Sequence, residues 1–73
     1  LKISVISYVP YLNDLKNEYI LDNKTSVEEF INSLGIKWDD DVLIVVNKVI
    51  ITDKYINLKD GDIIELLIPL SGG

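Results

Sequence analysis

Only one stretch of this chain carries a helical apolar period, and both of its ends are marked. Val27, Phe30, Ile31 and Leu34 stand at i, i+3, i+4 and i+7, which puts four apolar side chains on one helix face. Thr25-Ser26-Val27-Glu28-Glu29 opens the stripe. Either Thr25 with Glu28 or Ser26 with Glu29 has the spacing of a capping box, which satisfies free N–H groups of the first turn. The two glutamates also suit the positive end of the helix dipole. Gly35 follows Leu34 directly, where a left-handed stop residue belongs. The spacing predicts a helix over residues 26–34.

The rest of the sequence offers strands. Ile3 and Val5 alternate with Lys2 and Ser4, a half-buried strand that ends before Pro10. Residues 18–22 place Tyr19 and Leu21 on one side, and Asn23-Lys24 turns toward the helix. Residues 42–46 are rich in β-branched side chains and too short for a helix, so they read as a central strand. Asn47-Lys48 is a tight reversal into Val49-Ile50-Ile51. Asp60-Gly61 is a turn signal that launches a last strand over residues 62–68. Pro69 ends pairing there, because it has no N–H to give a ladder. The order is strand, strand, helix, strand, short strand, strand. It fits an α+β, two-layer β-grasp (ubiquitin-like) roll: a mixed sheet of four to five strands with one main helix. Residues 1–68 form the domain and residues 69–73 a flexible tail. Phe30 and Leu34 are expected to be buried, with Ile3, Val5 and Ile64.

One helix covers one face of such a sheet. Ile63 and Leu67 nonetheless oppose Ile64, Leu66 and Ile68 in strand parity, so some apolar side chains should point away from the helix. Scattered, they are ordinary surface. Contiguous, they mark a docking surface.

Composition narrows the chemistry. Leu, Ile, Val and Phe make up 30 of the 73 residues, well above the share at which chains stay disordered. There is no Cys, His or Met. That removes disulfides, thiolate metal sites, the commonest metal ligand and the commonest general base. The net charge of −5 is spread along the chain and disfavours nucleic acid, which needs a basic face. It suits solubility and attraction to a basic protein surface. The longest apolar run, residues 42–46, is far too short to span a bilayer, and Lys2, Ser4 and Ser7 interrupt any signal-peptide core. A soluble cytoplasmic protein without membrane association is the expectation. Leu1 is not an initiator residue, which leaves room for residues ahead of it.

No catalytic constellation emerges. The serines have no His to activate them. Asp39-Asp40-Asp41 lacks the alternate spacing and turning Gly of a cation loop, and reads as a solvated loop before the third strand. Trp38 beside it is a lid on the helix end or an exposed contact residue. The ending Ser71-Gly72-Gly73 is different. Two residues without a Cβ let the terminal carboxylate thread a narrow channel in another protein. The reactive group would be the main-chain carboxylate of Gly73, which becomes an acyl donor once its oxygen is made a leaving group, for instance by adenylation with ATP. A frayed end or a linker remnant has the same composition.

Several segments resemble the MoaD/ThiS family of ubiquitin-like sulfur carriers, with the molybdopterin synthase small subunit the nearer branch. Lys2-Ile3-Ser4-Val5 with Tyr11-Leu12-Asn13-Asp14-Leu15 is similar to that family's opening strand and loop. Residues 25–31 resemble the start of its helix. Val46-Asn47-Lys48 and residues 58–65, with their Asp60-Gly61-Asp62 turn, are the most specific internal matches. Ile68-Pro69-Leu70-Ser71-Gly72-Gly73 resembles the family's tail, although the molybdopterin branch often has two prolines and Ile68 stands in the first place. The resemblance implies a carrier with no catalytic residues and no bound cofactor of its own. An E1-like enzyme, using ATP, would adenylate Gly73. A sulfur donor would convert it to a thiocarboxylate, and a synthase large subunit would take the sulfur, most naturally for molybdopterin, whether of the molybdenum or the related tungsten cofactor. A thiamine-type carrier, a protein modifier and a plain interaction module are the alternatives. Pro69, Leu70, Ser71 and Gly72 would thread the partner's channel. Asp62, Ile63, Glu65 and Leu67 would lie at the docking surface.

Overall fold

The computed structural model describes residues 1–12, 14–38 and 42–68. In chain order the elements are β1 (Lys2–Ser7), β2 (Glu18–Ile20), α1 (Val27–Ser33), β3 (Leu43–Val46), β4 (Val49–Ile50) and β5 (Ile63–Leu67). The five strands form one sheet in the order β2-β1-β5-β3-β4. β1 and β5 run parallel at its centre, and the other neighbouring pairs are antiparallel. The expected mixed sheet with one helix is the observed fold, a ubiquitin-like β-grasp.

Specific hydrogen bonds close both helix ends. Of the two capping boxes with the right spacing, Ser26–Glu29 forms: Ser26 Oγ accepts the Glu29 N–H, and Glu29 Oε1 accepts the Ser26 N–H, both at 3.1 Å. The first two helical N–H groups, of Val27 and Glu28, donate to Ile56 and Lys54 carbonyls of the loop before β5. At the other end Gly35 is left-handed (φ +84°). Its N–H donates to the Asn32 carbonyl and that of Ile36 to the Ile31 carbonyl, which is a Schellman closure. The helix is therefore one residue shorter at each end than the 26–34 the spacing predicts, because Ser26 and Leu34 are its caps.

The core lies between α1 and one face of the sheet. Val27, Phe30 and Ile31 pack with Ile3 and Val5 of β1, Ile44 of β3, and Ile64 and Leu66 of β5. Leu34 is half-buried at the rim, where the chain turns away. Trp38 packs against the same cluster, so it is a lid on the helix end. The connection between β1 and β2 is long, yet Val9, Leu12 and Leu15 fold it onto the core. Strand ends fall short of the apolar runs. β3 starts at Leu43, with Val42 in the core ahead of it, and β5 covers 63–67 rather than 62–68. Ladders end where partner strands end, and run length does not report that.

Candidate functional site

Strand alternation leaves the other sheet face without a helix. β5 crosses its middle and presents Ile63, Glu65 and Leu67 there, opposite in parity to the core residues Ile64 and Leu66. The register aligns Ile6, Glu65, Val45 and Ile50 in one row across β1, β5, β3 and β4. Ile63 sits beside Ser4, and Leu67 beside Leu43. Neighbouring strands lie ~4.8 Å apart, so these apolar side chains touch or nearly touch. Ile6, Ile50 and Ile63 are exposed, and Leu43 and Leu67 are half-buried. Val45 is buried but stands outside the core cluster. The outward-facing apolar residues are therefore contiguous, the arrangement expected of a docking surface.

Glu65 stands at the centre of that patch. Its lateral neighbours are Ile6 and Val45, and Ile63 and Leu67 flank it along the strand. Its side chain is only 11% exposed, and its Oε1 pairs with Lys48 Nζ at 3.1 Å. Lys48 is 81% exposed. Its backbone position is set by the β3–β4 hairpin turn, in which Asn47 and Lys48 are both left-handed (φ +52° and +71°). That matches the twist of a two-residue hairpin.

Asn47 pins this turn to the start of β5. Its N–H donates to the Ile63 carbonyl at 2.8 Å, and its Oδ1 accepts the Ile63 N–H at 3.0 Å. Its Nδ2 donates to Asp62 Oδ1 at 2.8 Å. Asp62 Oδ2 accepts the Lys59 N–H at 2.7 Å. Asp62 thus differs from the expectation of a docking residue. It is 9% exposed, and both carboxylate oxygens are engaged inside the fold, joining two turns to one strand. Its charge is visible in the sequence, whereas its partners are brought together only by the topology.

The periphery is charged. Lys2 and Glu18 pair at 2.8 Å on the β2 side of the open face. The hydrogen bond that the Lys2 ammonium donates to Glu18, and the charge of that carboxylate, raise Lys2 above the usual 10.5. Glu28 does the same to Lys54 beside the helix start, at 3.1 Å. Among the described residues, no cluster of three or more acidic, His or Cys side chains could hold a metal ion, and no helix is long and apolar enough to cross a membrane. Asp39-Asp40-Asp41 and the tail residues Pro69, Leu70, Ser71, Gly72 and Gly73 lie outside the described residues. Lys48, Ile6, Val45 and Ile50 were not singled out by residue type. The Asn47-Lys48 turn signal pointed to the first, and the others follow only from register.

The sequence profile of the ThiS family matches residues 6–73. The chain belongs to the ThiS family. The matched span begins at Ile6 near the end of β1, takes in β2, α1, β3, β4 and β5, and runs on to Gly73. Among solved structures, this ThiS-family chain is similar to one chain of the protein–protein complex of subunits 1 and 2 of molybdopterin-converting factor from Helicobacter pylori 26695. The TM-score is 0.67 and the identity 26%, over 100% of each chain. No curated protein sequence matches it.

Proposed function

We propose that this ThiS-family protein carries sulfur as a thiocarboxylate on Gly73 and delivers it in molybdopterin synthesis. The observation that carries the reading is the family match continuing through Gly73, in a chain with no His or Cys to do chemistry of its own. The full-length likeness to a chain of a molybdopterin-converting factor complex supports that pathway, as does Pro69-Leu70 ahead of Ser71-Gly72-Gly73. On this reading an E1-like enzyme spends ATP to join the Gly73 carboxylate to AMP, releasing pyrophosphate. A sulfur donor then displaces AMP and leaves the thiocarboxylate. The carrier binds no cofactor. The domain of residues 1–68 supplies the docking surface, with Ile63, Leu67 and Glu65 facing the E1-like enzyme and the synthase large subunit in turn. Residues 69–73 supply reach: Leu70 anchors the base of the tail, Ser71 is small enough to pass, and Gly72 and Gly73 occupy the narrowest part of the partner's channel. The test is reconstitution. Sulfur-charged protein, mixed with a molybdopterin synthase large subunit and precursor, should yield molybdopterin. Sulfur transfer only into thiazole synthesis would place the carrier in thiamine formation instead.

A further inference from the structure

The apolar patch on the open face has an acid at its centre, which constrains whatever closes over it. Glu65 is ringed by Ile6, Val45, Ile63 and Leu67, and its partner Lys48 reaches it from a turn at the sheet's edge. The pair is lopsided: the carboxylate is nearly buried and the ammonium is mostly in water. A wholly apolar partner surface closing here would strip the remaining water from the carboxylate and trap or expel a well-hydrated lysine. Desolvating a charge without a well-placed counter-charge is costly, so such a partner is penalised. A partner that brings its own cation to the centre of the patch avoids that cost and leaves Lys48 free to swing into solvent.

We propose that Glu65 is the recognition point for an arginine or lysine side chain of the docking protein, and that Lys48 is a stand-in that holds the carboxylate until that side chain replaces it. This rests on the reading of the open face as the surface that meets the synthase large subunit. A carboxylate has two oxygens, and a guanidinium can engage both at once, whereas Lys48 engages Oε1 alone. The overall charge of −5 draws basic surfaces toward the chain, and the apolar ring then selects those with one cation at the matching place. An acid at this position therefore discriminates between partners more than it adds affinity.

The experiment measures binding of the uncharged full-length chain to a purified molybdopterin synthase large subunit by titration calorimetry at two salt concentrations. Glu65→Gln should weaken binding on the order of 10- to 100-fold and flatten its salt dependence, because the partner's cation is left buried and unpaired. Glu65→Leu makes the patch continuous and should keep the fold, since apolar replacement of a buried ion pair is often neutral or stabilising. It should weaken binding at least as much. Lys48→Gln should leave affinity unchanged or raise it a few-fold. Binding by Glu65→Leu at wild-type strength or better would overturn the proposal, because it would mean that the partner surface is apolar at that point. Weakening by Lys48→Gln beyond about threefold would overturn it too, since Lys48 would then be the contact. If the wild-type chain does not bind the large subunit at all, the proposal and the assignment to molybdopterin fall together. If the wild-type chain binds the large subunit and the Glu65 variants bind it equally well, the proposal alone falls and that assignment stands.

Discussion

Replacing Phe30 with Ala tests the packing on which the open face depends. Phe30 is 1% exposed and first among the large side chains sealed in the core. Its ring meets that of Tyr19 edge-on, with centroids 5.3 Å apart and planes at 84°. Tyr19 is held in turn by its hydroxyl, which accepts the Lys16 N–H at 2.9 Å. Truncating a sealed Phe to Ala costs ~3–5 kcal/mol, the ring–ring contact included. A domain of this length has a total stability of ~4–11 kcal/mol. Phe30→Ala should therefore lose from about a quarter to all of it. Urea titration followed by circular dichroism reads this directly. With a slope of ~1 kcal/mol per molar for a small domain, the midpoint should fall by ~3 M or more, or the folded baseline should vanish. Phe30→Leu keeps most of the buried volume but loses the edge-on contact, and should cost only ~1–2 kcal/mol. A loss below ~1 kcal/mol for Phe30→Ala, at unchanged slope, would refute the placement of this ring at the centre of the core.

Asp62→Ala should destabilise the fold by ~2–3 kcal/mol, because it orphans the Asn47 amide and the Lys59 N–H, while leaving large-subunit affinity within about twofold. Thermal melts and calorimetry would separate the two effects. Gly35→Ala should cost ~1–2 kcal/mol through backbone strain alone, since φ is +84° and nothing lies within 4 Å of an added Cβ. A neutral result in urea titration would contradict the Schellman closure. Raising pH should weaken the fold late. Lys2 and Lys54 are shifted above 10.5 by Glu18 and Glu28, so their pairs contribute fully below that value and are lost as pH climbs through the raised ones. Glu28→Gln should reduce the alkaline fall in melting temperature, and an unchanged fall would assign it to other groups.

The fold was legible where local chemistry and burial agree. The stripe from Val27 to Leu34 lies between Ser26 and Gly35, and each marker has one physical use. The Asn47-Lys48 and Asp60-Gly61 turns were legible for the same reason, since they supply left-handed backbone where the chain reverses. Strand limits were not, because they depend on partners distant in sequence. Ile68 shares parity with the core residues Ile64 and Leu66 but is exposed, having passed the end of its ladder. The candidate site divides in the same way. The outward parity of Ile63, Glu65 and Leu67 follows from alternation alone. That Glu65 is enclosed by Ile6 and Val45 needs the parallel β1–β5 register and the antiparallel β3–β5 register together. Asp62, one residue before that strand, reads as another surface acid until the Asn47 turn folds onto it.

The central claim, that Gly73 carries sulfur, is tested most directly by intact-mass spectrometry. The protein is incubated with ATP, its cognate activating enzyme and a sulfur source, and the mass is then located by fragmentation. The account predicts a gain equal to the replacement of one oxygen by one sulfur, confined to Gly73. The gain should be absent when Gly73 is deleted, and Gly72→Val should nearly abolish it by blocking entry to the activating site. An unchanged mass, or a population joined to lysines of other proteins instead, would contradict it.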